Sequence, residues 1–384
     1  MRMPVRRAKL CLLGGATIAV ALLGAGTGVT SAHAETTAPA ARTSVQACPG
    51  VNAPKAEPTS SLTPQEAASA AAGVRLPQDE APHSDPNEWW YFSGHLWGTD
   101  PAGHLHCYGF EYVIFQFLDI APEPVYFGDF SLTDLNRQSF QYAFEEDSYP
   151  VPATRDSFAL HAGDWTMSGG SGRDALHADL PGYTLNLRLQ TTEPAALHGQ
   201  DGIIPFGPFG TSSYYSWTSL LSSGTIVDHG VTVKVGGLSW MDHQWGSFNF
   251  ASGGGWDWFS MQLSNGQQYM LYFIRNESGQ IVQTIGTRVD PGGRTAHLTA
   301  ASFGEQATGS WTSPATGITY GSGWHVTVPG GSLTVTPDLL NQEVDLLSTQ
   351  GSVYWEGDVS IKGKIDGAPV SGIGYTEINP PAEP

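Results

Sequence analysis

Residues 237–263 carry the densest group of side chains that could do chemistry. This segment places Asp242, His243 and Asp257 in two aromatic runs that are separated by glycines. A titratable group inside an aromatic cluster is costly to bury unless it is paired or used in function. The segment therefore predicts either a functional cavity or, if the rings only pack, the core of a β-sheet. Its tryptophans are Trp240, Trp245, Trp256 and Trp258.

The first aromatic run should form a strand, in which successive side chains point to opposite faces. Met241, His243 and Trp245 would then share one face. Asp242 and Gln244 would share the other face.

The same alternation applies to the second aromatic run. Trp256 and Trp258 would lie on one face, and Asp257 and Phe259 on the other. The glycines at 253–255 could turn the chain between the two runs. Two such strands could bring imidazole, indole and carboxylate groups into one cavity.

General acid catalysis is the chemistry that suits carboxyl groups in an aromatic site. Burial raises the pKa of a carboxyl group, which keeps it protonated and able to protonate an alkene. Indole rings can then stabilise the carbocation, by up to about 2 kcal/mol in a desolvated site. Each candidate could instead make a structural hydrogen bond between strands. The candidates are Glu88, Asp242, His243, Asp257 and Glu356.

Other catalytic chemistries receive less support. His104 and His106 lie two residues apart and could share a strand face in a metal site. His95 or His243 could join them, but exposed loop histidines are the simpler interpretation. The chain has no G-x-S-x-G nucleophile motif, phosphate-binding loop or nucleotide fingerprint. We therefore expect no metal and no cofactor.

Aromatic and acidic motifs recur in order from about residue 76 to the C-terminus. They are EWWY at 88–91, GHL at 94–96, WMDHQWG at 240–246, GWDWF at 255–259, QE at 342–343, YWEG at 354–357 and GYTE at 374–377. Together they resemble the lipocalin-like family of carotenoid 1,2-hydratases (hydroxyneurosporene synthases), kievitone hydratase and secreted proteins described as hydrolases. The resemblance implies two lipocalin-like halves.

The resemblance also implies roles for individual residues. The functional His and Trp of the carotenoid hydratases, in a DHxW motif, match His243 and Trp245. Those enzymes also use a Tyr and an Asp in the strand after the WDW motif. Here that strand, at 268–274, offers Tyr269 and Tyr272 but no carboxylate. Relatives that guide cyclisation need a shaped pocket more than a strong acid. The expected ligand-binding residues are Glu88, Trp90, Tyr91, Trp245, Trp256, Trp258, Tyr272 and Glu356.

The composition favours a β-rich exported protein with many turns. Only 14% of the 384 residues are charged, while the chain has 47 Gly, 26 Pro and 12 Trp. The net charge is −19, and loss of residues 1–34, with four basic and no acidic residues, would make it more negative. Such a surface disfavours binding to nucleic acid and to anionic membranes. Nothing in the pattern indicates an oligomeric state.

Residues 1–34 are typical of a signal peptide. Basic residues precede an apolar run over 10–29, and an A-x-A cleavage sequence follows at 32–34. We expect export through the Sec pathway or, because of the pair Arg6 and Arg7, through the Tat pathway. No later apolar run reaches the ~18 residues that a membrane-spanning helix requires.

Two cysteines, Cys48 and Cys107, would remain after cleavage of the signal peptide. An even pair in an oxidising compartment predicts a disulfide, with two free thiols as the alternative. The bond would close a loop of about 60 residues and contribute about 4 kcal/mol of stability.

The remaining sequence predicts an all-β fold of two lipocalin-like β-barrel domains in tandem. Residues 35–75 should form a flexible linker and a short helix that begins at a capping box at 63–66. We expect the first domain at 76–236 and the second at 237–384, each built from short strands between turn residues. The predicted strands include residues 108–117, 125–132, 182–190, 214–221, 225–235, 268–274, 281–289, 323–328, 332–336, 353–361 and 370–378.

These features together predict a secreted, cofactor-free enzyme of the hydratase or cyclase type. Its substrate would be an apolar isoprenoid- or polyketide-like small molecule. Its catalytic residues would be His243, Asp242 and Asp257. A non-catalytic carrier of hydrophobic ligands, which uses the same cavity only for binding, is the alternative.

Overall fold

The computed structural model of the protein describes Cys48, residues 73–248 and residues 254–381. Within these residues, 22 strands form two antiparallel sheets, named sheet A and sheet B below. The prediction of an all-β fold with two barrels in tandem is confirmed. The expected signal peptide at 1–34 and the expected helix near 63–72 lie outside the described residues. Single 3-10 turns occur at Gln78–Glu80, Gly207–Phe209 and Ala300–Ser302.

Sheet A curls into a nearly closed barrel. Its strand order is β4-β3-β2-β1-β12-β11-β8-β7-β6-β5, with β9 and β10 paired to β11, and β5 lies against β3 and β4. The strands are β1 Asn87–Thr99, β2 Leu105–Phe117, β3 Val125–Asp134, β4 Ser139–Ser148, β5 Phe158–Ala162, β6 Trp165–Gly170, β7 Arg173–Leu180, β8 Tyr183–Thr191, β9 Ala196–Leu197, β10 Ile203–Pro205, β11 Gly210–Asp228 and β12 Val231–Phe248.

Sheet B has the order β16-β15-β14-β13-β22-β21-β19-β18-β17, with β20 paired to β21. Its strands are β13 Gly255–Leu263, β14 Gln268–Arg275, β15 Ile281–Asp290, β16 Arg294–Leu298, β17 Gly304–Thr312, β18 Thr319–Val328, β19 Gly331–Pro337, β20 Glu343–Leu346, β21 Ser352–Ile365 and β22 Ala368–Asn379. In the part of the chain that the structure describes, no helix is long and apolar enough to span a membrane.

Strand alternation divides the apolar side chains among separate cores. Trp90 and Phe92 of β1 point into the barrel of sheet A, whereas Tyr91 between them points out towards sheet B. In β13, Phe259 points into the core of sheet B, whereas Trp258 points towards sheet A. The two sheets therefore enclose a third apolar region between them.

One predicted strand differs from the structure. The run at 225–235 contains a hairpin turn between β11 and β12, because His229 and Gly230 adopt φ angles of 49° and 84°. Two consecutive residues with positive φ are typical of a tight β-hairpin.

The expected domain boundary at 236 lies inside β12, which pairs with both β1 and β11 beyond that point. The chain passes from sheet A to sheet B only after Phe248.

The predicted disulfide between Cys48 and Cys107 is present. It ties Cys48 to the start of β2, where both cysteines are buried beside Leu135. The alternative of two free thiols is therefore wrong.

Candidate active site

A cavity lies between the outer face of sheet A and the facing side of sheet B. It contains about 820 Å³ of empty space, including the solvent at its mouth. It is lined by Trp89, Tyr91, Glu111, Val113, Phe115, Phe117, Asp129, Tyr214, Asp242, Gln244, Trp256, Trp258, Tyr272, Gln350, Ser352, Tyr354, Glu356, Glu377 and Asn379.

The register of sheet A places one row of lining side chains across the cavity. Tyr91 of β1 lies opposite Asp242 of β12, and Asp242 lies opposite Ser216 of β11. On the other side, Val113 of β2 lies between Tyr91 and Asp129 of β3. Because opposite residues of an antiparallel pair share a face, this row presents its side chains to the cavity side together.

Sheet B contributes a second row. Trp258 of β13 lies opposite Tyr272 of β14 and Glu377 of β22. Glu377 in turn lies opposite Glu356 of β21. The hydroxyl of Tyr91 donates a hydrogen bond of 2.7 Å to Oε1 of Glu356, so the rows of the two sheets are directly bonded.

Asp242 is the carboxyl group with the most hydrogen-bond donors in the cavity wall. Oδ2 accepts a bond of 2.7 Å from the Tyr214 hydroxyl, and Oδ1 accepts bonds from Trp240 Nε1 and the Ser216 hydroxyl. Burial raises the pKa of Asp242 to about 7, against the opposing effect of these hydrogen bonds. Asp242 can therefore both accept and donate a proton near neutral pH.

A second layer of polar side chains supports Asp242 from behind. Because the Ser216 hydroxyl donates to Asp242, its oxygen can accept a hydrogen bond from His198 Nε2, which is 2.7 Å away. His198 Nδ1 lies 2.9 Å from the Thr287 hydroxyl of sheet B. Burial lowers the pKa of His198 to about 3, so this imidazole is neutral.

Glu356 and Glu377 form a pair of buried carboxyl groups on adjacent strands. Burial raises the pKa of Glu356 well above its usual range, and the neighbouring Glu377 and Glu111 raise it further. Burial likewise raises the pKa of Glu377 to about 8, although a hydrogen bond with Trp256 opposes this. Two buried carboxyl groups in such a pair cannot both ionise at neutral pH. The pair therefore holds at least one proton.

Glu111 and Asp129 complete the acidic part of the cavity. Burial raises the pKa of Glu111 well above its usual range, and the nearby charge of Asp129 adds to the effect. Burial raises the pKa of Asp129 to about 6, opposed by hydrogen bonds from Gln350 and Tyr354. Among the described residues, the carboxyl cluster of the cavity thus comprises Glu111, Asp129, Asp242, Glu356 and Glu377.

A separate polar network lies inside the barrel of sheet A. His243 Nε2 donates to Glu88 Oε1 at 2.7 Å, and its Nδ1 lies 3.2 Å from the Tyr215 hydroxyl. The same carboxylate oxygen lies 2.7 Å from Nδ1 of His83. The pKa of Glu88 is lowered, because the bonds from His243 and His83 outweigh the effect of its burial. Glu88 is therefore an ionised carboxylate between two imidazoles.

Aromatic rings enclose this network. Trp90 stacks on His243 at a centroid distance of 4.5 Å, and Trp245 stacks on His83 at 4.1 Å. Ligand atoms of His83, Glu88 and His243 lie within 4.8 Å of one another and could hold a metal ion. They are already paired with each other, so the network is complete without one.

The structure separates the predicted site residues into three places. His243 points into the barrel of sheet A, on the opposite face of β12 from Asp242, so one cavity does not contain both. Asp257 lies outside the cavity, where it accepts hydrogen bonds from Arg275 on β14. The predicted residues that line the cavity are Tyr91, Asp242, Trp256, Trp258, Tyr272 and Glu356. Those in the barrel network are Glu88, Trp90, His243 and Trp245.

Sequence reasoning missed three of the cavity acids and one imidazole. Glu111 is the only acidic or basic residue of the predicted strand at 108–117, and Asp129 is the only one of the predicted strand at 125–132, which is a signal that could have identified them. Glu377 ends the GYTE motif but was not considered as a site residue. His83 precedes β1 in a loop, and nothing in the sequence distinguishes it.

Comparison with known proteins gives the wider context. Residues 67–380 match the AttH-like family. A kievitone hydratase from Fusarium solani subsp. phaseoli is 22% identical over 301 residues, which cover 75% of this chain and 81% of that protein.

Solved structures show the same fold. An AttH structure from Nitrosomonas europaea superposes with a TM-score of 0.72 at 27% identity, covering 81% of this chain and 98% of that one. Kievitone hydratase from Nectria haematococca gives a TM-score of 0.64 at 17% identity, covering 81% and 94%. The family resemblance inferred from the tryptophan motifs is thereby confirmed. With its match extending over most of the sequence, this chain belongs to the AttH-like family.

Proposed function

We propose that the cavity between the sheets is the active site of a cofactor-free, hydratase-type enzyme. The substrate would be an apolar isoprenoid- or polyketide-like small molecule with a carbon–carbon double bond. The observation that carries this proposal is the carboxyl cluster, which lies among aromatic rings in the cavity between the sheets. The similarity to a kievitone hydratase supports the same reaction class.

The Glu356–Glu377 pair is suited to be the proton donor. It holds a proton at neutral pH because its members are buried and adjacent. Transfer of that proton to an alkene carbon leaves a carbocation on the substrate and a carboxylate on the enzyme. The aromatic faces of Trp258 and Tyr272 can stabilise the cation, as can the new negative charge.

Asp242 is suited to be the base. Water adds to the carbocation, and its excess proton passes to the Asp242 carboxylate, so a hydroxyl group and a hydrogen have been added across the double bond. The bonds from Tyr214, Ser216 and Trp240 fix the position of this carboxylate. The pKa of Asp242 is about 7 and that of Glu377 is about 8. Because these values differ little, the proton donor and the proton acceptor can also exchange roles.

The carboxyl cluster could supply the acid that this chain lacks in the strand after the WDW motif, where the carotenoid hydratases have an Asp. The strand after the WDW motif, β14, provides Tyr272 but no acid to the cavity. Acids from β2, β3, β21 and β22 surround the same space instead. If a nucleophilic group of the substrate itself attacks the carbocation in place of water, the same side chains would support cyclisation.

The test is product formation from a panel of prenylated phenols and polyenes in H₂¹⁸O. An enzyme should give a product heavier by one labelled water, detected by mass spectrometry. Glu377→Gln and Asp242→Asn should each lower the rate at least about 100-fold, in line with the usual contribution of acid–base groups. Glu146→Gln, on the exposed side of β4, is the matched control and should leave the rate unchanged.

The carrier hypothesis predicts a different result in the same samples. Ligands would quench tryptophan fluorescence with no labelled product, and the carboxyl variants would bind as well as the parent. That outcome would refute the enzymatic proposal.

We also propose export of the protein, which the Cys48–Cys107 disulfide supports, since such bonds persist in oxidising compartments.

A further inference from the structure

A second cluster of buried polar groups lies between the sheets, outside the lining of the cavity. It consists of His95 on β1, Asp358 on β21 and Asp338, which directly follows β19. One ligand atom from each of the three side chains lies within 4.8 Å of the other two. His95 Nε2 and Asp358 Oδ2 are 3.8 Å apart, which is beyond hydrogen-bond distance.

These groups lack the partners that buried polar atoms normally have. His95 is 3% exposed and Asp358 is 0% exposed. Nε2 of His95, both oxygens of Asp358 and Oδ2 of Asp338 are buried without a hydrogen-bond partner in the described residues. Leaving a single buried polar atom unpaired costs on the order of 1–3 kcal/mol, and more if it is charged. Three side chains with such atoms, one ligand atom of each lying within 4.8 Å of the others, indicate that something else binds them.

The surrounding backbone holds the three side chains in place. Gly109 lies directly opposite His95 on β2, and a Cβ atom there would be 2.6 Å from Asp358 Oδ2. The absence of a side chain at this position gives the carboxylate its room. The amide of Asp338 donates to the carbonyl of Asp358, and Oδ1 of Asp338 accepts a bond of 2.6 Å from Ser360. Only Oδ2 of Asp338 is thus left for a ligand.

No lysine or arginine side chain pairs with Asp338 or Asp358 within the described residues. Two carboxylates and an imidazole nitrogen without a positive partner are a donor set that suits a divalent transition metal. Atoms up to 4.8 Å apart lie up to about 2.8 Å from a common centre, so each would move inwards by roughly 0.7 Å to reach the Zn²⁺ distance of about 2.0–2.2 Å.

We propose that His95, Asp338 and Asp358 form a binding site for one divalent transition-metal ion, with Zn²⁺ as the preferred ion. Because His95 belongs to sheet A, whereas Asp358 belongs to sheet B and Asp338 directly follows a strand of sheet B, the ion would join the sheets. The imidazole ligand favours Zn²⁺ over Ca²⁺, which takes oxygen ligands. This site is independent of the proposed hydratase function, since none of its residues lines the cavity.

The test is calorimetric titration of the full-length chain, without a histidine tag and freed of metal by EDTA. ZnCl₂ should bind at one ion per chain, more tightly than CaCl₂, and should raise the melting temperature. His95→Gln, Asp358→Asn and Asp338→Asn should each weaken Zn²⁺ binding at least about tenfold. His161→Gln is the matched control, since it removes an exposed imidazole that lies 2.9 Å from Asp147, and binding should be unchanged.

Two results would overturn the proposal. One is the lack of stoichiometric Zn²⁺ binding by the parent protein, which would leave shared protons or water as the partners of these atoms. The other is binding that persists in Asp338→Asn but disappears in Glu88→Gln, which would place the ion in the barrel network. Asp338 is half-buried, so its variant should fold even if replacement of the two fully buried groups prevents folding.

Discussion

Replacement of His83 by Gln should remove a part of the protein's stability that depends on pH. His83 lies between two acids, with Nδ1 at 2.7 Å from Glu88 and Nε2 at 3.8 Å from Asp79. Burial lowers the pKa of His83, but the neighbouring carboxylates of Asp79 and Glu88 together outweigh it and raise the pKa to about 9. The folded protein therefore holds this proton more tightly than the unfolded chain does.

The sign and size of the effect follow from the difference between the two pKa values. A raised pKa means that the stabilisation is fully present below the unfolded value of 6.5 and is lost as the pH rises through about 9. The difference corresponds to about 3 kcal/mol, at 1.36 kcal/mol for each pKa unit. Because the side chain is 20% exposed, solvent screening makes this an upper value.

Urea unfolding of the parent and His83→Gln, between pH 6 and pH 10 with the disulfide intact, measures the effect. The difference in unfolding free energy between the two proteins should be larger at pH 6 than at pH 10, by up to about 3 kcal/mol. His161→Gln, at an imidazole that is 47% exposed, is the control and should show no such trend. A difference that stays constant or grows with pH would show that His83 is not a buried cation.

Three further results are expected. The melting temperature of Glu377→Gln minus that of the parent should be more positive at pH 9 than at pH 5. Because the pKa of Glu377 is raised to about 8 in the folded protein, the parent loses stability as the pH rises from 4.5 through 8, whereas the Gln variant does not. Differential scanning fluorimetry measures this difference, and an equal shift at both pH values would contradict it. Cys48→Ser should lower the free energy of urea unfolding by about 4 kcal/mol, since the disulfide spans 59 residues. A reductant should lower the unfolding free energy of the parent to that of the variant and should leave the variant unchanged. Gly109→Ala should lower the unfolding free energy by about 1–3 kcal/mol, because the added Cβ would be 2.6 Å from Oδ2 of Asp358. Gly304→Ala is the control and should leave the unfolding free energy unchanged, since there is open space around Gly304. Equal stabilities of the two variants would count against the tight packing at Gly109.

The local part of the architecture could be predicted because strand alternation depends only on neighbouring residues. The faces assigned to Met241, Asp242, His243, Gln244 and Trp245 agree with the structure. The alternation cannot tell which face lies inside a barrel and which lies between the sheets. This is why His243 and Asp242 were expected in one site.

Contacts between distant segments account for what the sequence did not reveal. The hydrogen bond between Tyr91 and Glu356 joins residues 265 positions apart, and the pairing of Glu356 with Glu377 depends on strand register. The turn at His229 was missed because a histidine with positive φ has a weak sequence signal. The disulfide was predictable because only two of the three cysteines lie beyond the expected signal peptide at 1–34.

The bond between Tyr91 and Glu356 also bears on how the protein could be divided. Since the walls of the cavity come from different sheets, a ligand between them contacts both and must strengthen their association as much as their association strengthens ligand binding. If each half folds separately, fragments that carry sheet A and sheet B would behave as a heterodimer induced by the small molecule. Reconstitution of such a split protein would then report on its ligand before any reaction product is known.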